Sequence, residues 1–162
     1  MSLVVFGIDP GKTTGWCAIG DARWIASGET PDTNHLLDMI KVFDPNVVVI
    51  ELYIHYPWIK VMNRSWSAEV SGAVKKYCED YGIKVVEQNA AARVVITNII
   101  LDAAEVPKPV RKQKHALDAI LHALTYIWRV DPEPLAKKAI PILAKEHLPE
   151  RTGLPRGLRA KM

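Results

Sequence analysis

Cysteine is scarce in this sequence: two among 162 residues, Cys17 and Cys78, with no metal-type spacing between them. That excludes a disulfide scaffold and a zinc module, and leaves two reduced structural thiols of a reducing compartment as the expectation. Long apolar runs are missing too; no window approaches the roughly 20 residues that a transmembrane helix needs. The opening MSLVVFGIDPG has no basic segment ahead of its short apolar run, so no secretory leader is expected. There is no internal repeat and no great excess of one charge. The formal net charge of +3 permits a nucleic-acid partner without demanding one. A soluble cytoplasmic protein with no membrane partner is the expectation. What remains is an ordinary globular composition, 49% hydrophobic and 24% charged, in a length that suits one domain and would strain to hold two.

The apolar pattern sets out the elements. Residues 3–9, LVVFGID, are almost continuously apolar, as a strand buried on both faces should be. TTGWCAIG and ARWIASGE come next as two β-rich runs meeting at Gly20-Asp21, a two-residue hairpin signal. DTNHLLDMIKVF, capped by Asp32 or Thr33, places Leu36, Leu37, Ile40 and Phe43 on one helical face. VVVIEL at 47–52 is another buried strand. After a loop comes a helix over 65–81 with Gly82 as its stop, then IKVVEQ as a fifth strand. AAARVVITNIILDAA is read as helical up to Pro107 and Pro109, and KQKHALDAILHALTYIW is the clearest helix of all. Residues 1–130 are expected to form the folded domain. Five of the eleven prolines fall in the remainder, so 131–162 is expected to be a basic extension, a short helix and then a partly flexible tail. Three meander strands and then alternating helices and strands make an α/β plan with a mixed five-stranded sheet flanked by helices. That order resembles the ribonuclease H-like fold.

GIDPGKTTG, residues 7–15, nearly spells a phosphate-binding P-loop, but the spacing from Gly7 to Gly11 is one residue short. The run TTGWCAI beyond Lys12 is β-branched and aromatic rather than helical. The alternative is a turn at Pro10-Gly11 that presents one carboxylate, Asp9, at a strand end. Glu51 likewise terminates the buried run VVVIE. If the two strands are neighbours, the bare carboxylates would repel and one would take up a proton, a conflict that a divalent cation removes. His115, Asp118 and His122, with Thr125 and Arg129 beyond, fall on one stripe of the late helix, while Leu117, Ile120, Leu121, Leu124 and Trp128 face elsewhere. For His122 the expectation is a solvated residue or one standing behind the ligands. Lys108, Arg111, Lys112 and Lys114 precede or open this helix, at the end where the macrodipole is already positive. A bound anion, phosphate above all, would turn that cost into a gain.

Asp in GIDPG, a Glu that ends an apolar strand, and a late helix carrying H-x-x-D-A together resemble the RuvC-type Holliday junction resolvases, in a compact form like those of phages. The resemblance spans about residues 3–129, and NRSWSAEVSGAV with Gly72 is similar to the family's helix after the glutamate. It implies a ribonuclease H-like, metal-dependent endonuclease that resolves four-way junctions by paired symmetric nicks as a homodimer. It also implies that Asp9, Glu51, His115 and Asp118 form the catalytic metal site. Such an oxygen-rich set suits Mg²⁺, with Mn²⁺ as a substitute. A two-ion site holds its metals about 3.5–4 Å apart, and Asp9 on the central strand is best placed to bridge them. His115 stands either as a ligand or as the group that takes a proton from water. The family's extra helical stretch before H-x-x-D is short here, and Ile96 stands where a lysine is common. Arg93 or the 108–114 cluster is then the candidate phosphate contact.

Other candidate DNA contacts are Lys12 and the loop LYIHYPWIK, where Tyr53, Tyr56 and Trp58 are flanked by Lys60 and Arg64. An aromatic there suits stacking on a base, worth roughly 1–3 kcal/mol; packing beneath the loop or at a dimer interface is the plainer role. The tail residues Arg151, Arg156, Arg159 and Lys161 offer further phosphate contacts or a neutral end. Three rival functions share these features: a nuclease for RNA or RNA–DNA hybrids, an inactive nucleic-acid-binding module, and a nucleotide binder of the sugar-kinase type. The last would need two such domains to enclose its ligand.

Overall fold

The computed structural model describes residues 3–52 and 65–147. The aromatic loop, with Tyr53, Tyr56, Trp58, Lys60 and Arg64, and the basic tail lie outside the described residues. The meander is β1 (Val4–Asp9), β2 (Thr14–Gly20) and β3 (Arg23–Thr30), followed by α1 (Thr33–Phe43), β4 (Val47–Glu51), α2 (Trp66–Tyr81) and β5 (Lys84–Gln88). The sheet order is β3-β2-β1-β4-β5. The first three strands are antiparallel, whereas β4 lies parallel to both β1 and β5. Then come α3 (Asn98–Ala103), α4 (Lys114–Val130) and α5 (Glu133–His147). The mixed sheet and its order of elements are as expected.

Strand alternation divides the core in two. On one face Val5, Cys17, Ile19, Val47 and Val49 pack against Ile120 and Leu124 of α4, with Leu101 and Leu135 from α3 and α5. On the other, Phe6, Ile8, Trp16, Val48 and Ile50 meet Leu36 and Ile40 of α1 and Val70 and Val74 of α2. The Phe6 and Trp16 rings are stacked at 5.8 Å, with Phe43 tilted against both. α1 opens on Asp32, whose carboxylate accepts from the Asn34 N–H. α2 opens on Ser65, and Gly82 ends it in the left-handed region at φ 67°. No helix among the described residues is long and apolar enough to cross a membrane.

Three expectations change. The hairpin turns at Asp21-Ala22, one residue later than expected; both have positive φ, 49° and 58°, which is the pairing a tight two-residue hairpin requires. Residues 90–104 are not one helix. A 3₁₀ turn, Ala90–Val95, ends at Ile96, and α3 begins only after Thr97. The β-branched run Val94-Val95-Ile96-Thr97 is poorly suited to an unbroken helix. Beyond residue 130 the helix is longer than expected: α5 runs for 15 residues with Pro141 inside it. Leu135 and Ala139 anchor it in the core, and Lys138 donates to the Ala22 carbonyl at 3.2 Å.

Candidate active site

β1, β4 and β5 run parallel and end level with one another. Ile8 pairs with Ile50, and Glu51 pairs with Gln88. Residues facing α4 alternate along each strand, through Gly7, Val49 and Val86. The next in each series are Asp9, Glu51 and Gln88, which form a polar row at the carboxyl ends. Opposite stands a second row, His115, Asp118 and His122, spaced along one stripe of α4. Two glycines bring the rows together. A Cβ on Gly7 would overlap the Ala119 carbonyl, and one on Gly15 would overlap that of His115. Without side chains there, α4 lies directly on β1 and β2.

Each acid is engaged. His115 Nδ1 lies 2.8 Å from Asp9 Oδ2. Arg93, from the 3₁₀ turn, reaches Glu51 at 3.4 Å and Asp118 at 3.1 Å through the same nitrogen. His122 places Nε2 at 2.9 Å from Glu51 Oε2 and Nδ1 at 3.0 Å from Gln88 Oε1. The Asp9 carboxyl is held above its ordinary pKa, chiefly because burial strips water from its charge. The bond from His115 opposes this, and repulsion from Glu51 and Asp118 adds to it. The turn after Asp9 is braced twice: Thr14 Oγ1 donates to the Gly11 carbonyl at 3.1 Å, and Ser67 of α2 donates to the Pro10 carbonyl at 2.8 Å.

Among the described residues no group of three or more His, Cys, Asp and Glu side chains is arranged to hold a metal ion. Here the carboxylates are turned to partners within the chain. The donor set nevertheless fits a divalent cation. Glu51 and Asp118 share a single guanidinium, which stands between them where a cation would, and Asp9 beside them is paired only with the His115 imidazole. Hard oxygen donors with one imidazole suit Mg²⁺ or Mn²⁺.

The remaining basic candidates divide into two kinds. Lys12, Lys108, Lys112 and Lys114 are exposed. Arg111 is engaged instead: it donates to Asp102 Oδ1 at 2.5 Å and to the Val106 carbonyl at 2.7 and 3.0 Å, closing the connection after α3. His122 is not solvated; it is fully buried, and it stands behind Glu51. Sequence reasoning misses two members of the site. Gln88 closes β5, a strand that also carries Lys84 and Glu87, so its place at the strand end is not marked by an apolar run as that of Glu51 is. Glu29 pairs with Gly15 across β2 and β3, and its Oε1 accepts from the backbone N–H groups of His115 and Ala116 at the start of α4. Nothing short of the strand register would reveal it.

No family model matches the chain. No curated protein matches it in sequence. Solved structures do match. The chain is similar to Thermus thermophilus RuvC, with a TM-score of 0.59 at 17% identity over 82% of this chain and 98% of that one. T. thermophilus RuvC in complex with a Holliday junction substrate gives 0.54 at 19% identity, over 80% of this chain and 96% of that one. Fowlpox virus resolvase in complex with Holliday junction DNA gives 0.57 at 14% identity, over 80% and 99%. The sheet, its strand order and its flanking helices are therefore those of the ribonuclease H-like fold that RuvC and the fowlpox virus resolvase share.

Proposed function

We propose that this chain is a metal-dependent endonuclease that resolves four-way DNA junctions. One observation carries the reading: Asp9, Glu51 and Asp118 converge with His115 at the carboxyl ends of parallel strands, in a fold shared with resolvases solved on junction DNA. Asp9, Glu51, Asp118 and His115 would hold the metal. Mg²⁺ or Mn²⁺ bound there would supply an activated water and steady the charge on the leaving 3′ oxygen.

The chain's own residues account for the rest. The two rows fix the carboxylates before substrate arrives, because strand register sets one and helix pitch the other. Arg93 competes with a divalent ion for the same oxygens, so its guanidinium must swing away, where it is free to pair with a phosphate. Lys12, Lys108, Lys112 and Lys114 attract the DNA backbone. An aromatic of the 53–64 loop is the candidate for stacking on an opened base. A four-way junction is two-fold symmetric and two matched nicks need two sites, so a homodimer in the cytoplasm is the economical form.

The test uses an end-labelled four-way junction beside a linear duplex of the same sequence, each with Mg²⁺, Mn²⁺ or EDTA, and nicks mapped on every strand. Paired, symmetric, metal-dependent nicks in the junction alone are expected. Cleavage of an RNA–DNA hybrid in preference to the junction, or of no substrate at all, would sink the reading.

A further inference from the structure

We infer that His122, held by Gln88, is the positioning residue that fixes Glu51 for metal binding. The inference rests on reading Glu51 as a metal ligand. His122 is fully buried, and Gln88 is 6% exposed. An apolar side chain at 122 would simply extend the core formed by Ile120, Ala123 and Leu124. An imidazole in that place must instead find partners for both nitrogens. Its two side-chain partners are groups at strand ends, Glu51 and Gln88. The other buried polar group nearby, Thr125, is already spent on the Leu121 carbonyl at 2.7 Å.

The direction of the bond to Glu51 is set by its chemistry. An ionised carboxylate only accepts, so Nε2 carries the hydrogen and donates to Oε2. Nδ1, then without a hydrogen, accepts from the Gln88 amide N–H, which requires that amide turned so that its nitrogen rather than Oε1 takes the position 3.0 Å from the ring. Gln88 is held in turn by the last β4–β5 pair, opposite Glu51, and by the Leu52 N–H, which donates to its carbonyl at 2.6 Å. The result is a closed triangle of Glu51, Gln88 and His122, rigid on the core side. Arg93 approaches the same Oε2 from the site side. Oε2 is thus committed to nitrogen donors, and Oε1 is the oxygen that neither His122 nor Arg93 uses. Partners behind ligating side chains commonly change metal affinity by about 10–100-fold when removed.

The experiment measures Mn²⁺ binding to the full-length, EDTA-stripped protein without DNA, by the loss of the free Mn²⁺ electron paramagnetic resonance signal. Wild type is compared with His122→Leu and Gln88→Leu, each checked for folding by thermal melting in EDTA. Binding in His122→Leu should weaken at least about 10-fold. The Mn²⁺ concentration for half-maximal junction cleavage should rise by the same factor, and junction binding in EDTA should not change. A folded His122→Leu that binds Mn²⁺ as tightly as wild type overturns the inference. If His122→Leu does not fold, Gln88→Leu decides: a shift in the same direction supports the triangle, and an unchanged affinity overturns it. Wild type that binds no Mn²⁺ defeats Glu51 as a ligand and the inference together, whereas binding by wild type with unchanged variants defeats the inference alone.

Discussion

Glu29 caps the helix that carries His115: its Oε1 accepts the His115 backbone N–H at 2.8 Å and that of Ala116 at 3.3 Å, across 86 residues of sequence. The preceding Gln113 makes no side-chain cap. The first N–H groups of a helix lack partners and carry positive partial charge, so an anion is favoured there. The basic run before α4 made phosphate the natural candidate for that place. The chain supplies its own carboxylate instead, and in doing so fixes the turn from which His115 reaches Asp9.

Removing that carboxylate should cost stability and aim together. Glu29→Ala is expected to lose about 1 kcal/mol, the usual cost of a lost helix cap. Its cleavage rate should fall by more than its loss of folded population explains, because His115 is no longer held. Glu29→Gln keeps an accepting oxygen and should retain most of both. Equal cleavage by wild type and a folded Glu29→Ala would refute the positioning role.

Asp9 should be a liability to the fold and indispensable to the site. Its carboxyl is held above the ordinary range, mainly by burial, so the folded protein binds the proton more tightly than the unfolded chain does. Stability therefore falls as pH rises past the unfolded value near 3.9, and the ionised group costs stability at neutral pH. Asp9→Asn is expected to melt higher than wild type in EDTA at pH 7.5. The gap should shrink through the acid range and close below about pH 4. Junction cleavage should be lost while junction binding persists. Melting curves against pH check the first claim, and a variant less stable than wild type at pH 7.5 contradicts it.

The basic residues around α4 should separate under salt. Arg111 is tied to Asp102 and the Val106 carbonyl, so Arg111→Ala should destabilise by about 1–3 kcal/mol. The salt dependence of its DNA binding should stay unchanged. Lys112→Ala and Lys114→Ala should leave the melting temperature almost unmoved. Each should flatten the slope of log affinity against log salt by about 0.9 if its lysine contacts one phosphate. Titrations at several salt concentrations distinguish the two behaviours, and a flattened slope in Arg111→Ala would reverse the assignment.

Both thiols should be inert in the folded protein. Burial pushes Cys17 up to about 12 and Cys78 up to about 11. At pH 8 almost no thiolate exists at either, and thiolate is the reactive form. A chromogenic disulfide reagent should label neither residue in buffer and both in denaturant. Rapid labelling of either one in buffer would contradict its burial.

Much of this was legible in the sequence because its signals are local. Apolar runs ending in Asp9 and Glu51, and the repeat of His115 and Asp118 on one stripe, announce strand ends and a helix face before any packing is known. The Asp32 cap and the Gly82 stop are equally local. What escaped depended on register. Glu29 matters because it lies opposite Gly15, and Gln88 because it lies opposite Glu51. Neither pairing leaves a mark on the flanking residues. Arg93 escaped in a different way: its charge suggested a phosphate contact, but its seat between Glu51 and Asp118 depends on a 3₁₀ turn where the pattern suggested a continuous helix.

The two polar rows also come from opposite ends of the message. Asp9 and Glu51 are made early, whereas His115, Asp118 and His122 arrive only with α4, the helix that covers one side of the sheet together with α3 and α5. A chain halted during synthesis before residue 114 would carry its acids without their counterparts, on a sheet face still open to water. Assembly of the two polar rows therefore waits on the docking of α4, the same step that covers most of that sheet face, with Leu135 and Ala139 of α5 following to complete it.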